Sequence, residues 1–403
     1  MKRTFDIVIA GAGMAGLTVA ALLARSEQRH RMTLRIVDAG MRPQFDAGDD
    51  LALRVSAVAA GSATIYQALG VWQSITAIRA CPIREMHVWD AARPPVGPET
   101  LHFDAAEFAL AELGHVVENV LVQDVLLAEL DRLGVKVEFE TPLADLQMVN
   151  GRCTLQIPDG KWLDCDLLVG ADGVNSMVRR CAGIPATAWR YPQSAFVTHL
   201  LPQDPHRNIA WQRFLPDGPL ALLPLSDGRI SIVWSTTPEQ AAAVMAVTDT
   251  QLGRLVTEAS DGVLGLLTAT GPRATFPLKA QYATAYVKPG IVLIGDAAHS
   301  IHPLAGQGAN LGIADAHQLA KVITRAIADG EHPGDWPVLR RYERGRKGAN
   351  QGMLYFVDAL NRLFSSPAQP VSVLRSAGMR LFNRSGPLRR RAVATALGVV
   401  AAE

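Results

Sequence analysis

Between Asp6 and Arg25 the chain runs through 18 uncharged residues, IVIAGAGMAGLTVAALLA. That length reaches the lower limit for a membrane-spanning helix. Three glycines interrupt it, however, and β-branched residues dominate its first part, so it reads as strand, turn and helix. Residues 5–10 form an apolar run suited to a buried parallel strand. Gly11, Gly13 and Gly16 follow at GxGxxG spacing, and residues 17–24 read as a helix. In such a turn the glycines permit the tight bend, close approach of backbone to a pyrophosphate, and close helix–strand packing. The helix N-terminus adds free N–H groups and a positive dipole end. A second strand at 33–37 ends at Asp38, where an acid can accept hydrogen bonds from ribose hydroxyls. These features predict a dinucleotide site and leave FAD and NAD both open.

Two later segments favour a flavin. An apolar strand at 166–169 leads into Gly170, Asp172, Gly173, Ser176 and Arg179. Another at 290–294 leads into Gly295, Asp296 and His299, then Pro303, Gly306, Gly308, Ala309 and Asn310. Here a strand ends at an acid able to bond a sugar-like chain, and a Pro- and Gly-rich turn opens a helix over about 310–328. The dipole of that helix can stabilise negative charge on an electron-rich ring as it is reduced. An NAD enzyme has no need of this third element.

At these residues the chain resembles the flavoprotein aromatic hydroxylases related to p-hydroxybenzoate hydroxylase. Arg54 to Ala57, Leu69 to Trp72, Gly114 to Asn119, the run from Gly295 to Gly308, Trp211 to Phe214 with Gly218 and Pro219, and Arg341 to Lys347 narrow the likeness to the ubiquinone-biosynthesis hydroxylases. The resemblance implies an α/β fold: a Rossmann-like FAD-binding domain, an inserted antiparallel β-sheet substrate domain, and a C-terminal helical tail. It divides the chain into a first FAD-binding part at 1–184 with a substrate-domain excursion near 76–104, a substrate sheet at 185–276, a second FAD-binding part at 277–345, and a basic tail at 346–403. It implies that Asp296 contacts the ribityl chain and that Asp172 and Gly173 couple flavin binding to reduction. Arg54 would lie beside the flavin and Gln123 near the pyrophosphate, with Pro303, Gly306, Gly308, Ala309 and Asn310 around the ring. At Ala309 the family pattern has a larger apolar residue such as Val or Leu. The implied reaction is hydroxylation of a polyprenylated phenol or quinol with NAD(P)H and molecular oxygen, through a C4a-hydroperoxyflavin.

Between the second and third motifs, 195–201, 209–215, 220–225 and 229–235 read as four strands separated by Pro, Asp and Gly turns. Trp211, Phe214, Leu222, Pro224 and His302 are candidates for a substrate pocket, although alternation makes each of the sheet residues equally suited to ordinary core. No second glycine fingerprint offers NAD(P)H a domain of its own, so the nicotinamide is expected to bind transiently. His299 and His302 are the nearest candidates for a base, with a role in holding loop backbone favoured for both; no catalytic side chain is assigned. Competing readings are another FAD-dependent oxidoreductase on an aromatic or prenyl-lipid substrate, and a scaffold subunit of a quinone-biosynthesis complex.

Composition sharpens the picture only when read by position. The chain has 403 residues and a net charge of +1, yet 12 of its 39 Lys and Arg fall from Arg340 onward beside three acids. The remaining body is acidic. In the tail, Arg375, Arg380, Arg384, Arg389, Arg390 and Arg391 flank Val373, Leu374, Ala377, Leu381 and Phe382 at helical spacing. A basic amphipathic helix can lie on anionic lipid, or it can pack on the body and solvate its charges. Few aromatics interleave these bases, which disfavours nucleic acid. Cys81, Cys153, Cys165 and Cys181 make no CxxC pair and have no zinc spacing, so no metal is expected and a reducing cytoplasm suits them. No cleavable leader is expected at the N-terminus. The expected location is therefore cytoplasmic, peripheral on the inner face of the membrane, with the oligomeric state open.

Overall fold

The computed structural model describes residues 4–149, 152–365 and 369–399, with the side chains at 159, 305 and 369–374 left aside. The opening segment forms the strand Phe5–Ala10 and the helix Met14–Ala24. The strand is the middle of a six-stranded sheet. Its order is Val287–Lys288, Ile291–Leu293, Leu167–Gly170, Phe5–Ala10, Met32–Val37, Val137–Glu138. All pairings are parallel except the one at the 287–293 hairpin. Ile7, Ile9, Leu17, Leu23, Ile36 and Val169 are fully buried in the core between this sheet and its helices. Each such side chain contributes about 1.5–3 kcal/mol on leaving water.

A second sheet of nine strands stands over the first. Its main path runs His299–Ser300, Ala274–Ala283, Ala186–Pro202, Ile230–Thr236, Gly218–Pro224, Ile209–Leu215, Glu85–Asp90, Leu101–Asp104. It is mixed rather than antiparallel throughout, because Ile209–Leu215 pairs in parallel with Glu85–Asp90. A strand recruited from residues 85–90 can run in either direction, since a long connection separates it from its neighbour. One face is covered by the helices Pro238–Ala246 and Asp249–Ala259, which bury Val244, Leu252 and Val256 against Phe196, Leu220, Leu222 and Ile232. Thr248 and Gln251 close the second helix with a capping box. The other face looks toward the first sheet across the segment 51–57 and the loop 302–308.

Two expected boundaries cut through single elements. The strand Ala274–Ala283 crosses 276/277, and one helix, Trp336–Phe364, crosses 345/346. The 29 residues of that helix keep a continuous buried stripe through Tyr342, Asn350, Leu354, Val357 and Phe364, so nothing in the packing separates a tail before Ser365. The helices Gln369–Arg384 and Pro387–Leu397 follow. They lie on the second sheet. Arg375 Nε is 3.1 Å from Asp90, Asn383 donates to the Thr100 carbonyl at 2.8 Å, and Met379 is buried with Val88, Phe214 and Phe364. Arg389 pairs with Glu107 and covers the Phe103 ring. Val373 and Leu374 belong to the first tail helix, but their side chains lie outside the described residues. Among the described residues, no helix is long and apolar enough to cross a membrane.

Candidate active site: a cleft between two sheets

The glycine turn is built as tightly as its spacing demands. Gly11 has φ +106°, and a Cβ on it would lie 2.3 Å from the Ala171 carbonyl oxygen. A Cβ on Gly16 would lie 1.9 Å from the Gly11 oxygen, so the helix presses directly on the strand end. Gly13 differs, because a Cβ there meets nothing within 4 Å. Its bareness serves no protein neighbour and leaves the helix N-terminus open to an anion. Asp38 lies beside it and accepts from the Ala12 and Gly40 N–H groups at 2.5 and 2.7 Å. Gln123 donates to the Ala12 carbonyl at 3.0 Å, which fixes the amide on the same turn.

Asp296 faces the cleft from the other side. Its side chain is open to solvent, yet enough protein surrounds it for desolvation to push its carboxyl upward, opposed by the charges of His299 and Arg54. An accessible carboxylate deep in the fold marks a cavity. The 3-10 turn Gly295–Ala297 that carries it is held from below. Asp315, wholly buried, accepts from Gly295 N–H at 3.1 Å, His299 Nε2 at 2.6 Å, Arg346 Nε at 2.7 Å and Asn350 Nδ2 at 2.9 Å. Burial opposes ionisation of Asp315, but the charge and hydrogen bond of His299, with Arg346 and Asn350, outweigh it and hold the carboxyl below its usual range. His299 is thus part of the turn's foundation.

The helix Gln307–Ala328 begins at Gly306, whose φ is +61° and where a Cβ would lie 3.3 Å from that of Ala57. Asn310 accepts from Ala59 N–H at 2.9 Å and donates to the Ala57 carbonyl at 2.8 Å. Its amide therefore ties the two walls together. Gly308 leaves open space, like Gly13. Asp172 caps the short helix Met177–Cys181 through the Met177 and Val178 N–H groups and the Ser176 hydroxyl. Gly173, with φ +77°, supplies the bend before it. Arg179 then bridges this segment to the Ala297 carbonyl at 2.8 Å, joining the second motif to the third.

His302 is buried in the loop above the second sheet. Its Nδ1 accepts from Leu304 N–H at 3.2 Å, so the proton sits on Nε2, which donates to Gln193 Oε1 at 3.3 Å. Desolvation lowers its pKa to about 4, against a weaker opposing pull from Asp358. It is a neutral spacer at pH 7. Pro303 precedes the 3-10 turn Leu304–Gly306, and Ala309, half-buried, lies in the first turn of the helix Gln307–Ala328.

The sheet candidates separate by face. Ala210, Gln212 and Phe214 are buried in phase along Ile209–Leu215. Phe214 stacks on Phe364 at 3.8 Å and shares a cluster with Leu304, while Ala210 packs with Leu51, Val55 and Ala57. Trp211 and Leu222 are paired across strands on the opposite face, within the helix-covered cluster, and Pro224 shares their phase. Alternation places these three away from the cleft, which corrects the expectation that they line a pocket. Gln212 is not among the pocket residues expected from the sequence. It is buried between Ala210 and Phe214 on the cleft side, and its amide makes no hydrogen bond among the described residues. A polar residue in phase with Ala210 and Phe214 was the available signal.

The residues fit FAD, with Gly13 bare for the pyrophosphate, Asp38 at the strand end and Asp296 in the cavity. The FAD binding domain family matches residues 4–356. The 3-demethoxyubiquinol 3-hydroxylase of Escherichia coli is 36% identical over 398 residues, spanning 98% of each chain. The ubiquinone biosynthesis monooxygenase COQ6 of Xenopus tropicalis is 34% identical over 97% of this chain and 93% of its own length. The chain belongs to the ubiquinone-biosynthesis hydroxylase family. It is an FAD-dependent monooxygenase. Solved structures agree on the fold: a four-substitution variant of PqsL of Pseudomonas aeruginosa superposes with a TM-score of 0.77 at 22% identity, covering 94% of this chain and 99% of that one. The p-nitrophenol 4-monooxygenase of Pseudomonas putida gives 0.77 at 16% identity, covering 99% of both chains.

Proposed function

We propose that this flavoprotein hydroxylates the aromatic ring of a polyprenylated phenol or quinol of ubiquinone biosynthesis, with electrons from NAD(P)H. The observation that carries this reading is the end-to-end likeness to an enzyme named for hydroxylating demethoxyubiquinol, across 98% of both chains. Bound FAD would supply the oxygen-activating chemistry. The Gly11 to Gly16 turn and Asp38 would hold its adenosine diphosphate half, Asp296 its ribityl chain, and Arg54 would stand beside the ring. The role of the chain is then to place an aromatic carbon and exclude water. Ala210, Phe214 and Leu304, buried against Leu51, Val88 and Phe364, form an apolar wall behind the cleft. Gln212 provides one amide on that wall, able to accept from or donate to a ring oxygen and so fix which carbon faces the flavin. A neutral His302 keeps the loop closed without adding charge to the site.

A substrate of this kind is dissolved in a membrane. Arg384, Arg390 and Arg391 are exposed on the tail helices beside Leu381 and Leu388, 71% and 65% exposed. Together they support peripheral docking on anionic lipid at the inner face of the membrane, where partners of a quinone-biosynthesis complex would also be met. The test is turnover by purified, FAD-loaded protein with a prenylated phenol, NADH or NADPH, and isotope-labelled dioxygen. The expected product carries one labelled oxygen on the ring. Substrate-independent NAD(P)H oxidation, with no labelled product from any prenylated phenol, would refute the reading.

A further inference from the structure

On the helix-covered face of the second sheet, away from the cleft, three side chains converge that the oxygenation chemistry does not use. Glu85 and His87 are two apart on the strand Glu85–Asp90 and therefore share a face. His102, on Leu101–Asp104, lies directly across from His87 in the antiparallel register. The Nε2 atoms of His102 and His87 stand 2.8 and 3.6 Å from one and the same Glu85 oxygen. All three donor atoms lie within 4.8 Å of one another.

From this convergence we propose a binding site for a divalent transition metal ion of the zinc class, held by His87, His102 and Glu85. Two imidazole nitrogens with one carboxylate oxygen is a donor set suited to Zn2+, Co2+ or Ni2+ and poorly suited to Mg2+ or Ca2+, which prefer oxygen alone. Tetrahedral bonds of about 2.0–2.1 Å put ligand atoms about 3.3 Å apart. The observed 2.8 and 3.6 Å straddle that spacing, so these two edges of the triangle need change by only a few tenths of an ångström, and the third, between the ring nitrogens, lies within 4.8 Å. The rings are already positioned. His87 stacks on Trp211 at 4.4 Å and lies 4.4 Å from the His102 ring. His87 is mostly covered, whereas His102 and Glu85 are open to solvent, which gives the ion an entry path and water for its fourth position.

The ion would link the edge strand Leu101–Asp104 to its neighbour Glu85–Asp90, and the edge strand carries part of the tail. Arg389 donates to the His102 carbonyl and lies over Phe103. Metal binding would therefore stiffen the strand on which the C-terminal helices rest, without touching the FAD cleft. This site stands whether or not the proposed substrate is correct.

The experiment is calorimetric titration of Zn2+, and separately Co2+, into untagged, FAD-loaded protein stripped with chelator, paired with thermal unfolding. One ion per chain is expected, insensitive to millimolar Mg2+, with a rise in Tm. His102→Gln and Glu85→Gln should each weaken Zn2+ binding at least tenfold while FAD content stays unchanged. If wild type takes up no ion, or if both variants bind Zn2+ as wild type does, the assignment is overturned.

Discussion

Arg346 and Asp315 meet 2.7 Å apart beneath the turn that bears Asp296. The Asp315 carboxylate receives Gly295 N–H and His299 as well, so the turn that carries Asp296 rests on a buried ion pair joining two long helices. Removing one member of such a pair leaves an uncompensated charge, at a cost of about 3–5 kcal/mol. Asp315→Asn and Arg346→Met should each lower the denaturation midpoint accordingly and reduce FAD content. The double variant should lose less than the sum, because the two share one interaction. Denaturant titration with flavin absorbance checks all three.

Gly13 separates cofactor binding from folding. Its Cβ position is free of protein atoms, so Gly13→Ala should leave apo stability within about 0.5 kcal/mol. The new methyl would occupy the approach to the pyrophosphate, and FAD affinity should fall at least tenfold. Gly11→Ala, placed against the Ala171 carbonyl, should instead destabilise the apoprotein itself. Comparing apo Tm and FAD affinity in the two variants distinguishes the cases.

Gln212→Leu should spare FAD content and spoil ring placement. Loss of one hydrogen bond, about 0.5–1.5 kcal/mol, corresponds to a KM increase of up to about tenfold. More of the NAD(P)H consumed should also yield peroxide rather than product. Product-to-NAD(P)H stoichiometry is the readout.

The buried histidine in the loop predicts an acid-side loss of stability. His302 titrates at about 4 in the folded chain against 6.5 normally. Between those values the unfolded chain binds the proton and the native chain does not, so stability is complete above about pH 6.5 and falls as pH drops toward 4. The shift is worth roughly 3 kcal/mol. Urea titrations at several pH values should show a steeper decline for wild type than for His302→Asn, in which this group is absent.

The strand and turn of the opening segment were legible because buried parallel strands and tight glycine turns leave few alternatives in sequence. The second sheet was legible as strands but not as faces. A pattern such as Trp211, Gln212, Arg213, Phe214 alternates without saying which phase meets a helix and which meets a cofactor. That choice depends on the helices Pro238–Ala246 and Asp249–Ala259, which cover the Trp211 side. Asp315 is not legible for a related reason: an acid inside a helix reads as a solvated face until Arg346 and Asn350, from another helix, are brought to it. The Glu85, His87 and His102 cluster likewise exists only through strand register.

The tail's charge was legible, whereas its division of labour was not. Arg375 and Arg389 are committed to Asp90 and Glu107, while Arg384, Arg390 and Arg391 are exposed. Deleting the tail would also uncover Phe214 and Phe364, which Met379 helps to bury. Replacing Arg384, Arg390 and Arg391 with Gln is therefore the cleaner test. At about 1 kcal/mol per base near an anionic surface, binding to phosphatidylglycerol vesicles should fall by about two orders of magnitude with Tm unchanged.

Ring hydroxylation in ubiquinone biosynthesis is read out by the quinone pool of a strain lacking this protein and any redundant hydroxylase. Mass spectrometry of extracted quinones should show a prenylated precursor one oxygen short of the next intermediate, cleared by wild type and not by Gly13→Ala at low expression. A normal quinone pool in the deletion strain would contradict ring hydroxylation as the role of this protein.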